Sequence, residues 1–392
     1  MQPNYIVTLV HGTWARGAAW TQPHSVLCKT LRKHLNSSVE IHCFEWSGRN
    51  SHVSRLRAAE ELEAHLRNLI AAYPKARHFV IGHSHGGNIA LYALRNVALQ
   101  QKMNGVVCLS TPFLSFKPRN IGRFGTASME TFLVSFIFFP GAILLWINID
   151  RIPQMLADVA LLSWALISGA LGLFLFRRWA ASAECLRKRL LLPNVDATHV
   201  FVVRASADEA SFALQTSEFI SWLSTKVWSV INDSAHKWES AVEKRLPSYC
   251  GPLAKLSLLL CLIGLILVVG GIGSLGAVVF VIGGMTVGAM VLIATGYFYL
   301  EILSLALLPG LALFLGILQI PFGRETVLTS LFFDVTPEAS PSGTCTVFHI
   351  PEPERQAIEC YQDEVGGLMH SVSYEDPQAL EAIVRWMRQM SN

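Results

Sequence analysis

Short runs of apolar and β-branched residues recur along the chain at 5–10, 39–44, 77–82, 104–110, 198–204 and 344–350. Each has the length and content of a buried strand. Between them, residues 53–73, 86–100, 212–231 and 377–390 space their apolar side chains at helical intervals. Strand and helix alternate, which predicts an α/β chain: a mainly parallel sheet with helices on both faces. The helical run 212–231, with Phe212, Phe219, Trp222, Leu223 and Trp228, suits a core-facing stripe or a helix lying on a bilayer.

Composition changes this picture. Hydrophobic residues make up 52% of the 392 and charged residues only 15%, against about a quarter charged in an ordinary globular chain. The excess lies in two blocks. In the first, 132–149 and 156–176 are separated by a connector bearing Asp150, Arg151 and Pro153. Each stretch is close to the ~20 residues that cross a hydrocarbon layer, so the pair predicts a transmembrane hairpin, with a buried helical cap as the soluble alternative. Pro140-Gly141 interrupts the first stretch, which membrane helices tolerate. The second block, 253–320, holds Lys255 and Glu301 as its only charges and is rich in glycine from Gly264 to Gly296, a composition that suits close helix packing within a membrane. These insertions divide the chain into 1–130 and 178–250 of the core, a hairpin at 131–177, an apolar block at 251–322 and a C-terminal core segment at 323–392.

The chemistry begins at Gly82-His83-Ser84-His85-Gly86, which follows the apolar run to Ile81 and opens into a helical stretch. Strand, sharp turn and helix meeting at one serine make a nucleophile elbow: small neighbours let the chain adopt the strained turn that lifts Oγ clear, and the helix N-terminus offers unpaired amides to a developing oxyanion. The residue after the serine is His85. At these residues the chain resembles the α/β-hydrolase superfamily, in its esterase and lipase branches. His11-Gly12-Thr13-Trp14, after the first strand, looks like that family's His-Gly oxyanion turn, which assigns the second donor amide to Thr13; a plain tight turn is the alternative reading of Gly12. His11 reads as a side chain that stabilises the turn.

The resemblance further implies an acid and then a histidine, in that chain order. Asp208 stands just past the strand 198–204, with Glu209 beside it and Asp196 and Asp334 as remoter candidates. His370 stands on the loop before the last helix and is the best placed of the thirteen histidines. Thr111-Pro112-Phe113 looks like the family's turn at the pocket edge, and Glu45 to Asn50 form a turn that lines the site or is a plain loop. The family places its lid where the first apolar block is inserted. Strands leading to Asp208 and His370 flank the second block and must share a sheet with Ser84, so that block is expected to cross the membrane an even number of times.

Other chemistries find less support. His83 and His85 alternate beside the serine, but no third ligand, H-E-x-x-H or paired C-x-x-C accompanies them, so no metal is expected. No phosphate loop or dinucleotide fingerprint occurs, and no cofactor is implied. A net charge of +3 gives no case for nucleic-acid binding. Eight scattered cysteines read as free thiols of a reducing compartment. Basic residues cluster on the core side of the first hairpin (Lys117, Arg119, Arg123, Arg177, Arg178 and 187–189), and no secretory leader precedes the first strand, so the core is expected on the cytoplasmic face. The expectation is a membrane-embedded serine hydrolase cleaving an amphiphilic or lipid acyl ester. A thioesterase or acyltransferase with the same residues, an inactive membrane interaction protein, and a membrane pathway regulated by the core are the alternatives.

Overall fold

The computed structural model describes residues 2–35, 38–119, 122–148, 153–193, 199–205, 313–338, 340–341, 345–350 and 373–391, with isolated positions between 219 and 310. Two compact units partition the chain: 1–118 with 184–223 and 315–392, and 119–183 with 224–314.

The first unit is built on six strands: β1 (Tyr5–Val10), β2 (Val39–Phe44), β3 (Arg77–His83), β4 (Gly105–Leu109), β6 (Val200–Ala205) and β8 (Thr346–Ile350). They pair in the order β2-β1-β3-β4-β6-β8, all parallel. Because successive strand residues face opposite sides, the alternate positions Val7 and Leu9, Phe79 and Ile81, Val107 and Leu109, and Phe201 and Val203 form one buried layer. Against it lie α1 (Val26–His34) and, at the end of the chain, a helix over Pro377–Gln389, α8 in chain order. Both helices are capped as their sequences prescribe: Ser25 Oγ accepts from Cys28 N, and Asp376 accepts from Ala379 N ahead of Pro377. The other face receives α3 (His85–Ala93), which packs on β1, β3 and β4 and on α2 (His52–Ala72). Helices on both faces of a parallel sheet match the sequence expectation.

Local features differ from it: α1 is not among the expected helices, α5 (Gly122–Ile147) starts ahead of the apolar stretch 132–149, and α6 (Gln154–Leu190) runs beyond 156–176. The single helix expected over 86–100 is two, α3 and α4 (Val97–Gln100), because Asn96 turns its side chain onto the amides of Ala98 and Leu99 and starts a new helix there. Beyond the turn at Ser110 to Pro112 the chain forms β5 (Phe113–Pro118), which pairs antiparallel with β7 (Phe333–Glu338) in a separate two-stranded sheet. Neither strand reads clearly from sequence, since each contains a proline and β7 also carries Asp334. A short helix, α7 (Thr326–Thr329), precedes β7.

In the second unit, α5 (Gly122–Ile147) contains Pro140, and α6 (Gln154–Leu190) continues past this unit's limit at Ala183. Gly172 lies against the Val134 backbone and Gly141 against the Trp164 ring, which donates Nε1–H to Phe138 O at 2.9 Å. Contacts that climb α5 while descending α6 make an antiparallel hairpin. Both helices are long and apolar enough to cross a membrane, over Met129–Ile147 and Gln154–Leu190. Most of the block 253–320 lies outside the described residues, as does most of 212–231.

Candidate active site

Ser84 follows β3 with φ 54° and ψ −131°, a conformation rare for a residue with a side chain. Such strain costs on the order of 1–3 kcal/mol and persists only where its surroundings enforce it. Here they do. A Cβ on Gly82 would stand 2.6 Å from Gly86 C and Gly87 N, one on Gly86 would collide with Val10 O, and one on Gly87 with the Thr111 side chain. Ser84 N donates to Leu109 O at 2.8 Å, which ties the elbow to β4. Of residues 78–94, Ser84 alone is not buried. The fold therefore hides the serine's neighbours along the chain and leaves the serine accessible.

Parallel pairing sets Val10 opposite Gly82, which brings the turn after β1 onto the elbow. A Cβ on Gly12 would be 2.9 Å from Ser84 Cβ and 3.5 Å from Ser84 Oγ. The next residue is Thr13, whose hydroxyl is buried without a hydrogen-bond partner. Trp14 is 78% exposed and also has positive φ, 58°, with its N–H bonded to Gly48 O at 2.8 Å. Among the described residues the non-glycine positive φ values fall at Trp14, Ser84 and Ser110. All three stand at the C-terminal ends of the adjacent strands β1, β3 and β4, the edge where open α/β sheets hold their ligands.

His11 is fully buried and holds this turn together. Its Nδ1 donates to Gly12 O at 2.8 Å, its Nε2 accepts from Trp46 N at 3.3 Å, and its carbonyl accepts from Trp46 Nε1 at 2.8 Å. The two rings stack at 5.6 Å. Burial pushes the His11 pKa down, more than the bonds to Gly12 and Trp46 and the Glu45 charge raise it, so at neutral pH the ring is uncharged and its proton belongs on Nδ1. The turn at 45–50 is thus a buttress of the Gly12 turn, a role sequence reading left undecided.

His85, first residue of α3, is buried, with Nδ1 3.4 Å from Asn88 Nδ2; Asn88 in turn donates to Pro112 O at 2.8 Å and binds α3 to the turn after β4. His83 is packed edge-on against Trp20 and Tyr374, with ring centroids at 5.9 and 5.0 Å. Both flanking histidines serve packing, and no group of three metal-binding side chains occurs among the described residues. Asp334 lies buried in β7, where it accepts from Gln319 Nε2 at 2.9 Å. The structure brings Ser84, Thr13 and His85 together; Asp208, Glu209, Asp196 and His370 lie outside the described residues. β6, ending at Ala205 shortly before Asp208 in sequence, is two strands from β3 in the sheet.

Sequence reading also missed Arg55. It falls on the buried stripe of α2 formed with Ala59, Leu62, Leu66 and Leu69, and a cation on an apolar stripe was the signal that could have marked it as a buried, partnered group.

Among solved structures the chain is similar to a cutinase-like protein from Cryptococcus sp., with 17% identity over 29% of this chain and 55% of that one and a TM-score of 0.25. It thus spans about half the length of that protein. It is also similar to a Bacillus licheniformis lipase, with 11% identity over 58% and 74% of the two chains and a TM-score of 0.26. For a carboxyl esterase from Bacillus coagulans the figures are 14%, 52% and 71%, and 0.23. No curated protein matches. The profile described as "Alpha/beta hydrolase family" matches residues 9–246, more than half of the 392, and the chain belongs to the alpha/beta hydrolase family.

Proposed function

We propose that this chain is a membrane-embedded serine hydrolase that cleaves an acyl ester of an amphiphilic or lipid substrate through an acyl-enzyme. The observation that carries the reading is the elbow itself: a strained serine, alone accessible within a buried strand-turn-helix, with Gly12 set against its side chain. Ser84 Oγ attacks the acyl carbonyl. His370 takes the hydroxyl proton and later returns it to the leaving alcohol, Asp208 holds the imidazole in its working tautomer, and the amides of Thr13 and His85 receive the oxyanion. Water then attacks the acyl-enzyme with His370 as base, which releases the acid and restores Ser84.

The membrane part of the reading is supported by α5 and α6, whose outward apolar residues include Phe136, Trp146 and Leu166 at 64% exposure or more. A substrate drawn from the lipid phase suits such a setting. The basic residues flanking the first hairpin support a hydrolase core on the cytoplasmic face.

Labelling of the detergent-solubilised protein by a fluorophosphonate tests the nucleophile. Label should appear in the parent and vanish in Ser84→Ala; equal labelling of that variant removes Ser84 from the mechanism. Ser84→Ala and His370→Ala should each abolish nearly all ester turnover, and Asp208→Asn should cost about 10⁴-fold, by analogy with the serine proteases. An Asp208→Asn variant within a few-fold of the parent, beside an inactive Glu209→Gln, would move the acid by one residue.

A further inference from the structure

We infer that Arg55 and Asn50 are positioning residues for the oxyanion turn, acting through the loop 46–50, and that the segment 320–325 is the anchor they hold it to. This rests on the serine-hydrolase reading and names a part of its machinery that the motifs do not contain.

The joint is built of polar groups that interlock. Arg55, 1% exposed, donates Nη1 to Phe322 O and Nη2 to Asn50 Oδ1 at 2.7 Å. Asn50 gives its own Nδ2–H to Ile320 O at 2.7 Å, and its carbonyl accepts from Arg324 N at 3.2 Å. Glu325 accepts from Ser51 Oγ and from His52 N, the latter at 2.9 Å, at the N-terminus of α2 where a carboxylate is favoured. The His52 ring sits so close on Gly323 that a Cβ there would stand 2.6 Å from Nε2. Thr326 Oγ1 to Gly316 O, and Gln319 to Asp334, hold the far side of the anchor.

Directly upstream, the same loop grips the oxyanion turn: Trp46 through both of its N–H groups on His11, and Gly48 O through Trp14 N. Gly48 has φ 66°, and a Cβ on it would face Trp14 N at 3.5 Å, so the loop approaches the turn closely. Thr13 stands between the two gripped residues. Its amide is aimed by the backbone of His11 and Trp14, which are set by Trp46 and Gly48, which are set in turn by Asn50. A buried guanidinium is expensive to place and often replaceable by apolar packing where only stability is needed. What hydrogen bonds add is register: they fix Asn50 along the chain to within a fraction of an ångström, as an oxyanion donor requires.

Asn50→Ala and Arg55→Met in the full-length solubilised protein test this. The assays are kcat and KM on a soluble p-nitrophenyl ester, inhibition by an alkyl trifluoromethyl ketone, whose serine adduct carries the oxyanion, and thermal unfolding. Displacement of one donor should lower kcat and ketone affinity together by about 10- to 100-fold, short of the loss of a whole donor, with KM within three-fold and a cooperative transition retained. Variants that fold and keep kcat and ketone affinity within two-fold overturn the inference, provided the parent turns over and is labelled at Ser84; a parent unlabelled at Ser84 overturns the hydrolase reading beneath it. Should Arg55→Met fail to fold, Asn50→Ala decides, because it deletes both side-chain links of the loop and leaves the guanidinium in place. Loss of the fold in Asn50→Ala as well would make the joint a stability element and overturn the positioning role.

Discussion

Replacing Gly12 by alanine probes the site at its tightest point. The added Cβ would lie 2.9 Å from Ser84 Cβ and 3.1 Å from His83 O, about half an ångström short of ordinary contact, and both neighbours belong to a turn already strained. The elbow cannot retreat, since Gly82, Gly86 and Gly87 are packed against backbone and Thr111. The turn carrying Thr13 must give way instead. Loss of one oxyanion donor costs about 10²–10³ in kcat, and a misplacement of about 1 Å costs about 10², so Gly12→Ala should lower kcat about 100-fold, or ~2.7 kcal/mol in the barrier. Overpacking should remove about 1–3 kcal/mol of stability. Gly17→Ala is the control. It lies in the same segment with φ 70° but with nothing within 4 Å of its Cβ, so it should strain the backbone and leave kcat unchanged. Turnover of a p-nitrophenyl ester, read beside the melting temperature of each variant, supplies the measurement. A Gly12→Ala enzyme within three-fold of the parent kcat would refute the placement of this turn over the serine.

Two further outcomes follow from burial and from connectivity. His52 is fully buried and held well below its ordinary pKa by desolvation and then by the Arg55 charge, and burial lowers His11, His65 and His78 as well. The folded state keeps the His52 ring neutral while the unfolded chain takes up a proton there below about pH 6.5, so stability should fall as pH drops through that value, with a limiting slope of ~1.4 kcal/mol per pH unit for this ring. The stability difference between the parent and His52→Gln should therefore change on acidification from pH 7 to 5; a pH-independent difference would exclude His52. In sealed vesicles, cysteines introduced near Asn194 and at Asn392 should be reached from one side and one near Asp150 only from the other. Opposite-side access at Asn194 and Asn392 would mean an odd number of crossings, and β6 and β8, neighbours in one sheet, could not then flank such a block.

Sequence alone determined what depends on neighbours along the chain. β1 and β2 match their apolar runs residue for residue, and the other sheet strands lie within two residues of theirs. Glycine spacing and the strand-to-helix change marked Ser84, because strain at an elbow is relieved by the residues beside it. The apolar content of 132–149 and 156–176 announced two long helices, since composition alone marks such stretches, but not their full extent, which is 26 residues in α5 and 37 in α6. Tertiary structure decided the rest. That Gly12 rests on Ser84 follows from the parallel register of β1 on β3, a pairing no local pattern specifies. The β5–β7 sheet joins residues more than 200 positions apart, and Asn50 meets Ile320 across 270. Such partners carry no signature in their own segments: each hydrogen-bonding group records only that it needs a partner, and the fold alone supplies which one.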